Sequence, residues 1–269
     1  MIKTNLFETT PSHSITFSKG RFSVLEYERD FSVTPENAAI AFYSSKMNVR
    51  KRQLIADLTD TDGVIVQAGM MQMMLGPVLA ATNVKSVGDL AKKFVGSKVT
   101  GETTIKPRYI GNGQLLLEPT FNHILIEDLA DWNEGMVIED GMFLACDDSV
   151  GMKVTARNTV SSAVLGGEGL FNTTLFGDGC IALESPVPAE EIIVVDLVDD
   201  ELRIDGNMAV AWSYSLKFTV ERTTKTLVGS AASGEGLVNV YRGTGRVLVA
   251  PVERNRGISS PKNTKGFRE

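Results

Sequence analysis

The chain has 269 residues, of which 43% are hydrophobic and 22% charged, and its formal net charge is −6. This composition is typical of a folded protein and excludes disorder over most of the chain. The charge is uneven, because residues 253–269 carry +3 and the rest carries −9. An acidic body argues against nucleic-acid binding, which needs a basic surface. We expect one domain over residues 1–252, followed by a frayed basic tail at 253–269.

Residues 1–50 are predicted to extend this domain with further strands. The segments SITF and RFSVLEYE resemble two strands joined at Lys19 and Gly20, and AAIAFY resembles another. The first residues lack the apolar stretch of a signal peptide, and no run approaches the 18 apolar residues of a membrane-spanning helix. We therefore expect a cytoplasmic protein.

The strongest pattern is a unit of about 66 residues that occurs three times. A Gly-X-Gly motif recurs at 111–113, 177–179 and 243–245, each followed by a short apolar run that ends at proline. A Gly-Glu pair precedes each motif, and an apolar run ending in glycine lies further upstream. Before that comes a run carrying Asp57, Asp128 or Asp196. Five landmarks in one order predict repeats over about 51–119, 120–186 and 187–252.

The landmarks indicate strands and turns. Asn-Gly and Asp-Gly suit type I′ turns, so the Gly-X-Gly motifs are predicted to be hairpin tips. IIVVDL and QLLLEP are continuous apolar runs, which predict strands covered on both faces, whereas SLKFTVER alternates with Leu216, Phe218 and Val220 on one face. Short strands at regular spacing predict an all-β fold with a pseudo-threefold internal repeat, either a β-prism or a double-stranded β-helix-like barrel.

The first repeat is longer than the others. Its extra length falls within GPVLAATNVKSVGDLAKKFVG, where Val87, Leu90, Ala91 and Phe94 lie at i, i+3, i+4 and i+7. This spacing predicts a small helical insertion at about 86–96.

These motifs resemble the altered-inheritance-of-mitochondria protein twenty-four family, also known as a bacterial domain of unknown function. The resemblance rests on GEGL, Gly-X-Gly and the closing proline, and runs from about Phe42 to Val252. It implies an all-β, pseudo-threefold fold similar to the tryptophan RNA-binding attenuation protein class. It implies no enzymatic activity, cofactor or catalytic residue.

Several polar residues are candidates for a binding or catalytic site. Glu102, Glu168 and Glu235 occupy equivalent positions and would bind a cation if they converged; the alternative is a repeated turn. Asp57, Asp128 and Asp196 recur in the same way, which favours a structural role. His13 and His123 are too few for a metal site, and Cys146 and Cys180 are expected to be buried, inert thiols in a reducing compartment. We predict no catalytic, cofactor-binding or metal-binding residue.

A methionine run breaks the threefold pattern. Four methionines lie within GMMQMML, and methionine suits adaptable apolar contacts. With the helical insertion they form a candidate interaction patch, which comprises Met70, Met71, Met73, Met74, Leu90 and Phe94. The alternative is a strand covered by that helix.

The sequence therefore predicts a non-enzymatic structural or interaction protein that self-associates and binds an unknown protein partner. Self-association is expected partly because edge strands need cover. The alternative is a small-molecule or metal-binding protein with a pocket at the pseudo-threefold axis. A weaker alternative is contact of the tail and the basic cluster at 50–52 with nucleic acid or membrane.

Overall fold

The computed structural model describes residues 2–59, 62–81, 106–156, 171–222 and 237–252. It opens with strands β1 (His13–Lys19) and β2 (Phe22–Tyr27), followed by helix α1 (Pro35–Lys46). The first two predicted strands are confirmed, and Gly20 has a φ of 58° in the turn between them. The third is wrong, because AAIAFY lies in α1. A short apolar run does not distinguish strand from helix, and here Pro35 at the start of the helix and the alanines favour helix.

The rest of the described chain contains three sets of strands. The first set is β3 (Arg52–Asp57), β4 (Val64–Val66), β5 (Met71–Leu75), β6 (Val78–Ala81), β7 (Arg108–Gly111) and β8 (Gln114–Leu117). The second is β9 (His123–Asp128), β10 (Met136–Ile138), β11 (Phe143–Asp147), β12 (Gly151–Ala156), β13 (Phe171–Phe176) and β14 (Cys180–Ser185). The third is β15 (Ile193–Asp205), β16 (Ala209–Ser213), β17 (Lys217–Arg222) and β18 (Leu237–Val249).

The same pairing order recurs in each set. In the first set β8 pairs with β3 and β5, while β7 pairs with β4 and β6. In the second, β14 pairs with β9 and β11, while β13 pairs with β10 and β12. In the third set, the long strands β15 and β18 each contribute to both half-sheets. The second half of β18 pairs with the first half of β15 and with β16, while the first half of β18 pairs with the second half of β15 and with β17. Each set thus forms two three-stranded half-sheets.

The Gly-X-Gly motifs are corners between half-sheets, and their prediction as hairpin tips is wrong. Strands β7 and β8 lie in different sheets, as do β13 and β14, and the third motif lies inside β18. The first glycine has a positive φ in every copy: 130° at Gly111, 96° at Gly177 and 122° at Gly243. A type I′ turn would instead need positive φ at the middle residue. Glycine is therefore required for the change of direction.

Half-sheets of consecutive sets join edge to edge. Strand β4 pairs with β11, and β10 pairs with β16. The first sheet therefore has the order β1-β2-β3-β8-β5, and the middle sheet β6-β7-β4-β11-β14-β9. The last sheet has the order β12-β13-β10-β16-β18-β15, with β17 also on β18.

The three sheets lie in layers with separate cores between them. Leu54 and Leu115 of the first sheet pack with Val66 of the middle sheet. On its other face the middle sheet packs against the last sheet, as Phe143 does with Met136. A third core, around Trp212 and Tyr241, lies under the half-sheet formed by β17 with the outer halves of β15 (200–205) and β18 (237–243). The described residues are mostly β-strand and close no barrel, so a threefold prism is not confirmed.

Burial agrees only in part with the sequence pattern. Leu115, Leu116 and Leu117 of QLLLEP are buried as predicted. In contrast, Ile193 and Val194 of IIVVDL are about half exposed, at 51% and 53%. That prediction is wrong because β15 is an edge strand, which among the described strands pairs with β18 alone. The predicted helix at 86–96 lies outside the described residues.

Candidate functional site

The recurring aspartates make local structural contacts. Asp57 Oδ1 accepts a hydrogen bond from the Thr59 N–H at 2.9 Å, and Asp128 Oδ1 accepts one from the Ala130 N–H at 3.0 Å. Both side chains thus stabilise the turn that follows their strand. Asp196 instead forms an exposed ion pair with Arg246 at 2.8 Å. Glu102, Glu168 and Glu235 lie outside the described residues.

The two thiols are buried, as the sequence predicts. Cys146 and Cys180 are 0% and 6% exposed, and burial is the main cause that raises the pKa of each. The thiolate is the reactive form of cysteine, so a raised pKa makes both poor nucleophiles. Asp147 lies beside them, accepts a hydrogen bond from the Cys180 N–H at 2.7 Å and pairs with Arg21 at 2.6 Å. This polar link connects β11, β14 and the start of β2.

The two histidines lie in different settings. His13 Nδ1 is within hydrogen-bonding distance of the Thr10 and Ser12 hydroxyls, both at 3.1 Å. His123 is half-buried, and desolvation, followed by the charge of Arg52, lowers its pKa to about 4. Its imidazole is therefore neutral near pH 7. No group of three or more His, Cys, Asp or Glu in the described part of the chain could hold a metal ion.

A groove of about 330 Å³ lies between the first and middle sheets and was missed from the sequence. It is lined by Glu26, Arg52, His123 and Glu190, among others. Arg52 is only 2% exposed, and its Nε donates to Glu26 Oε2 at 2.8 Å. Its other donors bind the backbone oxygens of Arg50 and Asn48 and the Asn48 side chain. The Arg52 guanidinium therefore forms its hydrogen bonds with groups of the protein itself.

A second surface that the sequence did not reveal surrounds α1. None of the helix residues is buried, and Ile40, Phe42 and Tyr43 are largely exposed. Grooves of about 180 and 250 Å³ run beside the helix. An amphipathic pattern would have signalled a packed helix, but apolar side chains lie around all of α1. No helix in the described ranges is long and apolar enough to cross a membrane.

The methionine run lies on and beside β5, and its members point in different directions. Met70 and Met71 are half-buried against the core between the first and middle sheets, whereas Met73 packs against Leu25 and Ile55 on the outer face. Met74 is 39% exposed. Leu90 and Phe94, the other members of the predicted patch, lie outside the described residues.

The position of β5 in its sheet differs from that of its two equivalents. Strands β11 and β16 are internal, because β4 and β10 pair along their second edges. Strand β5 ends its sheet and, among the described strands, pairs with β8 alone. Residues 70–81 contain no charge. Charged residues commonly protect sheet edges from pairing, so β5 is an edge without that protection.

Comparisons with known proteins identify the family of the chain. A family model described as mitochondrial biogenesis AIM24 matches residues 43–252. The chain belongs to this family. The AIM24 resemblance seen in the sequence is thus confirmed over most of the chain.

Two relatives come from Streptococcus pyogenes. M6_Spy0233, an uncharacterized protein of serotype M6, is 30% identical over 201 residues, which cover 72% of this chain and 78% of the relative. The crystal structure of SPYM3_0169 has 27% identity and a TM-score of 0.57, and the match covers 77% of this chain and 90% of that one. The names of these AIM24-like proteins assign no activity.

Proposed function

We propose that the chain is a non-enzymatic structural protein that associates with copies of itself. The observation that carries this proposal is the uncharged edge of β5. The chain covers the equivalent edges of β11 and β16 with its own strands. An edge strand with exposed backbone groups and no charge is a template for pairing with another chain.

The pairing order supports a second part of the proposal, that the three sets are copies of one pseudo-repeated unit. Each copy has two half-sheets with a glycine corner between them. Such units gain stability mainly from contact with their neighbours, which suits a scaffold whose ends are joined by further copies.

The environments of the candidate reactive groups support a non-enzymatic role. Burial raises the pKa of both thiols, and Asp57 and Asp128 stabilise turns. Around the 330 Å³ groove, both oxygens of Glu26 pair with arginines, Oε1 with Arg50 and Oε2 with Arg52. These contacts do not favour the alternative of a small-molecule site. The acidic body supports a partner other than nucleic acid.

The test is sedimentation velocity over a hundredfold range of protein concentration. We expect larger species to grow with concentration, and Met74→Lys to reduce them because lysine on an edge strand hinders pairing with another chain. Val154→Lys on β12 is the matched control, since Val154 is also 39% exposed and lies on an edge strand. A monomer at every concentration would refute self-association. Equal effects of both variants would exclude β5 as the interface.

A further inference from the structure

We propose that copies join head to tail, with β5 of one copy paired antiparallel to residues 202–204 of β15 in the next. This inference rests on the proposed self-association and specifies its interface. It predicts an eight-stranded sheet, in which β1-β2-β3-β8-β5 of one molecule is continued by β15-β18-β17 of the next.

The half-sheets of the three sets are joined in pairs, except for two of them. The middle sheet joins a half-sheet of the first set to one of the second, and the last sheet joins the second set to the third in the same way. Two half-sheets then remain without such a partner among the described strands. They are β3-β8-β5 at the start of the chain and the half-sheet formed by β17 with the outer halves of β18 and β15. The edge strand of the first, β5, is equivalent to β11 and β16, and the edge strand of the second, β15, is equivalent to β4 and β10. The two half-sheets therefore have complementary edges.

The unmatched strands lie in outer layers of one molecule. The middle sheet packs against the first sheet on one face and against the last sheet on the other. It therefore separates β5 from the outer half of β15. Pairing between these edges requires a second copy. Such a contact joins two different surfaces, so repetition gives a ring or a filament.

A β-bulge shared by three strands aligns β5 with its equivalents, β11 and β16. Each of the three strands has an irregular register one residue after its start: between Met71 and Met73, between Phe143 and Ala145, and between Ala209 and Ala211. Met74 is therefore equivalent to Cys146 and Trp212. In the two internal junctions these residues pair with Ile65 and Val137.

The partner strand aligns independently, through the glycine corners. Val64, Met136 and Leu202 pair with Tyr109, Leu175 and Tyr241, each of which lies two residues before the first glycine of its motif. Arg203 is thus equivalent to Ile65 and Val137. The two alignments together give one register, in which Met74 faces Arg203, Met73 faces Ile204 and Leu75 faces Leu202.

This register is chemically compatible. It places one apolar pair on each side of Met74 and Arg203: Met73 with Ile204, and Leu75 with Leu202. Arg203 already forms ion pairs with Glu201 at 2.9 Å and with Glu221 at 3.8 Å, and its side chain is 44% exposed. Its aliphatic stem can cover Met74 while the guanidinium keeps these carboxylates.

Disulfide cross-linking between two variants tests the pairing. Met74→Cys and Arg203→Cys proteins are mixed under a mild oxidant, and Leu75→Cys with Leu202→Cys forms a second mixture. Neighbouring antiparallel pairs alternate between wide and close spacing, so one mixture must meet disulfide geometry. We expect a covalent dimer from that mixture and none from Met74→Cys with Val194→Cys. The native thiols are buried and do not interfere.

Two outcomes overturn the head-to-tail register while leaving self-association intact. One is a dimer from Met74→Cys alone, which indicates symmetric β5–β5 pairing. The other is no dimer from either mixture although the unmodified protein assembles. If the unmodified protein remains monomeric, both this inference and the proposed function fail.

A charge exchange provides a second readout in solution. Met74→Lys places a like charge opposite Arg203 and should weaken association about fivefold, whereas Met74→Glu should retain it. The double variant Met74→Lys with Arg203→Glu should restore association. Equal weakening by lysine and glutamate, without rescue in the double variant, would contradict the register.

Discussion

At the scale of single residues, Arg52 contributes to the stability of the fold through its buried contacts. Its side chain is 3% exposed and pairs with Glu26, whose side chain is 13% exposed. The same guanidinium fixes the turn at 48–50 to β3. Without Arg52, Glu26 would keep only its pair with Arg50. The oxygens of Asn48 and Arg50 would lose a charged donor, so loss of this side chain costs more than loss of an exposed ion pair.

We therefore expect Arg52→Met to lower the free energy of unfolding by about 3 kcal/mol. Arg203→Met is the control, because Arg203 makes ion pairs at an exposed site and its loss should cost much less. Urea unfolding of the two variants provides the comparison. Equal losses in the free energy of unfolding would show that burial of the Arg52 ion pair does not increase its contribution to stability.

His123 predicts a pH dependence at the same scale. Its pKa is about 4 in the folded chain, against an ordinary value of 6.5, because burial and Arg52 outweigh the opposite effects of Glu26 and Glu190. Between these values the unfolded chain binds a proton and the folded chain does not. Stability is therefore lost as pH falls from about 6.5 to 4. The fall in Tm between pH 7 and pH 5 should be smaller in His123→Gln, and an unchanged fall would contradict this.

At the scale of elements, the glycine corners set the path of the chain. A Cβ on Gly111 would lie 2.1 Å from the Pro77 carbonyl oxygen, and its φ is 130°. Gly69 also has a positive φ, 84°, but a Cβ there meets nothing within 4 Å. Gly111→Ala should therefore destabilise the protein more than Gly69→Ala, for which only backbone strain of about 1–2 kcal/mol applies. Urea midpoints of both variants test this, and a larger loss in Gly69→Ala would oppose the assignment of Gly111 as a corner.

The same corners show what the sequence could predict. The spacing of the Gly-X-Gly motifs predicted repetition, because a required positive φ preserves glycine at the equivalent place in each copy. It could not distinguish a hairpin tip from a corner, since that depends on which strands pair across long separations. The position of β5 at the end of its sheet, among the described strands, could not be predicted for the same reason. Met74 and its equivalent Cys146 differ in pairing, and pairing is a property of the sheet rather than of local sequence.

At the scale of the whole molecule, the repeated sets depend on one another. The middle and last sheets each contain strands of two sets, and the first two cores each contain residues of more than one set. A single set removed from its neighbours would expose both edges of its half-sheets. It would also lose the core residues that its neighbours supply, such as Val210 and Leu248 of the third set in the core around Phe143, and with them part of its hydrophobic burial.

This interdependence predicts that the described layers unfold together. We expect one calorimetric transition for the full chain, with a van't Hoff enthalpy equal to the calorimetric enthalpy. A fragment of residues 120–186, which holds the complete second set, should be unfolded by circular dichroism because neither joining strand, β4 or β16, is present. A fragment of 51–252 keeps both junctions and serves as the control. Two separate transitions in the full chain, or cooperative melting of the 120–186 fragment, would mean that each set folds without its neighbours.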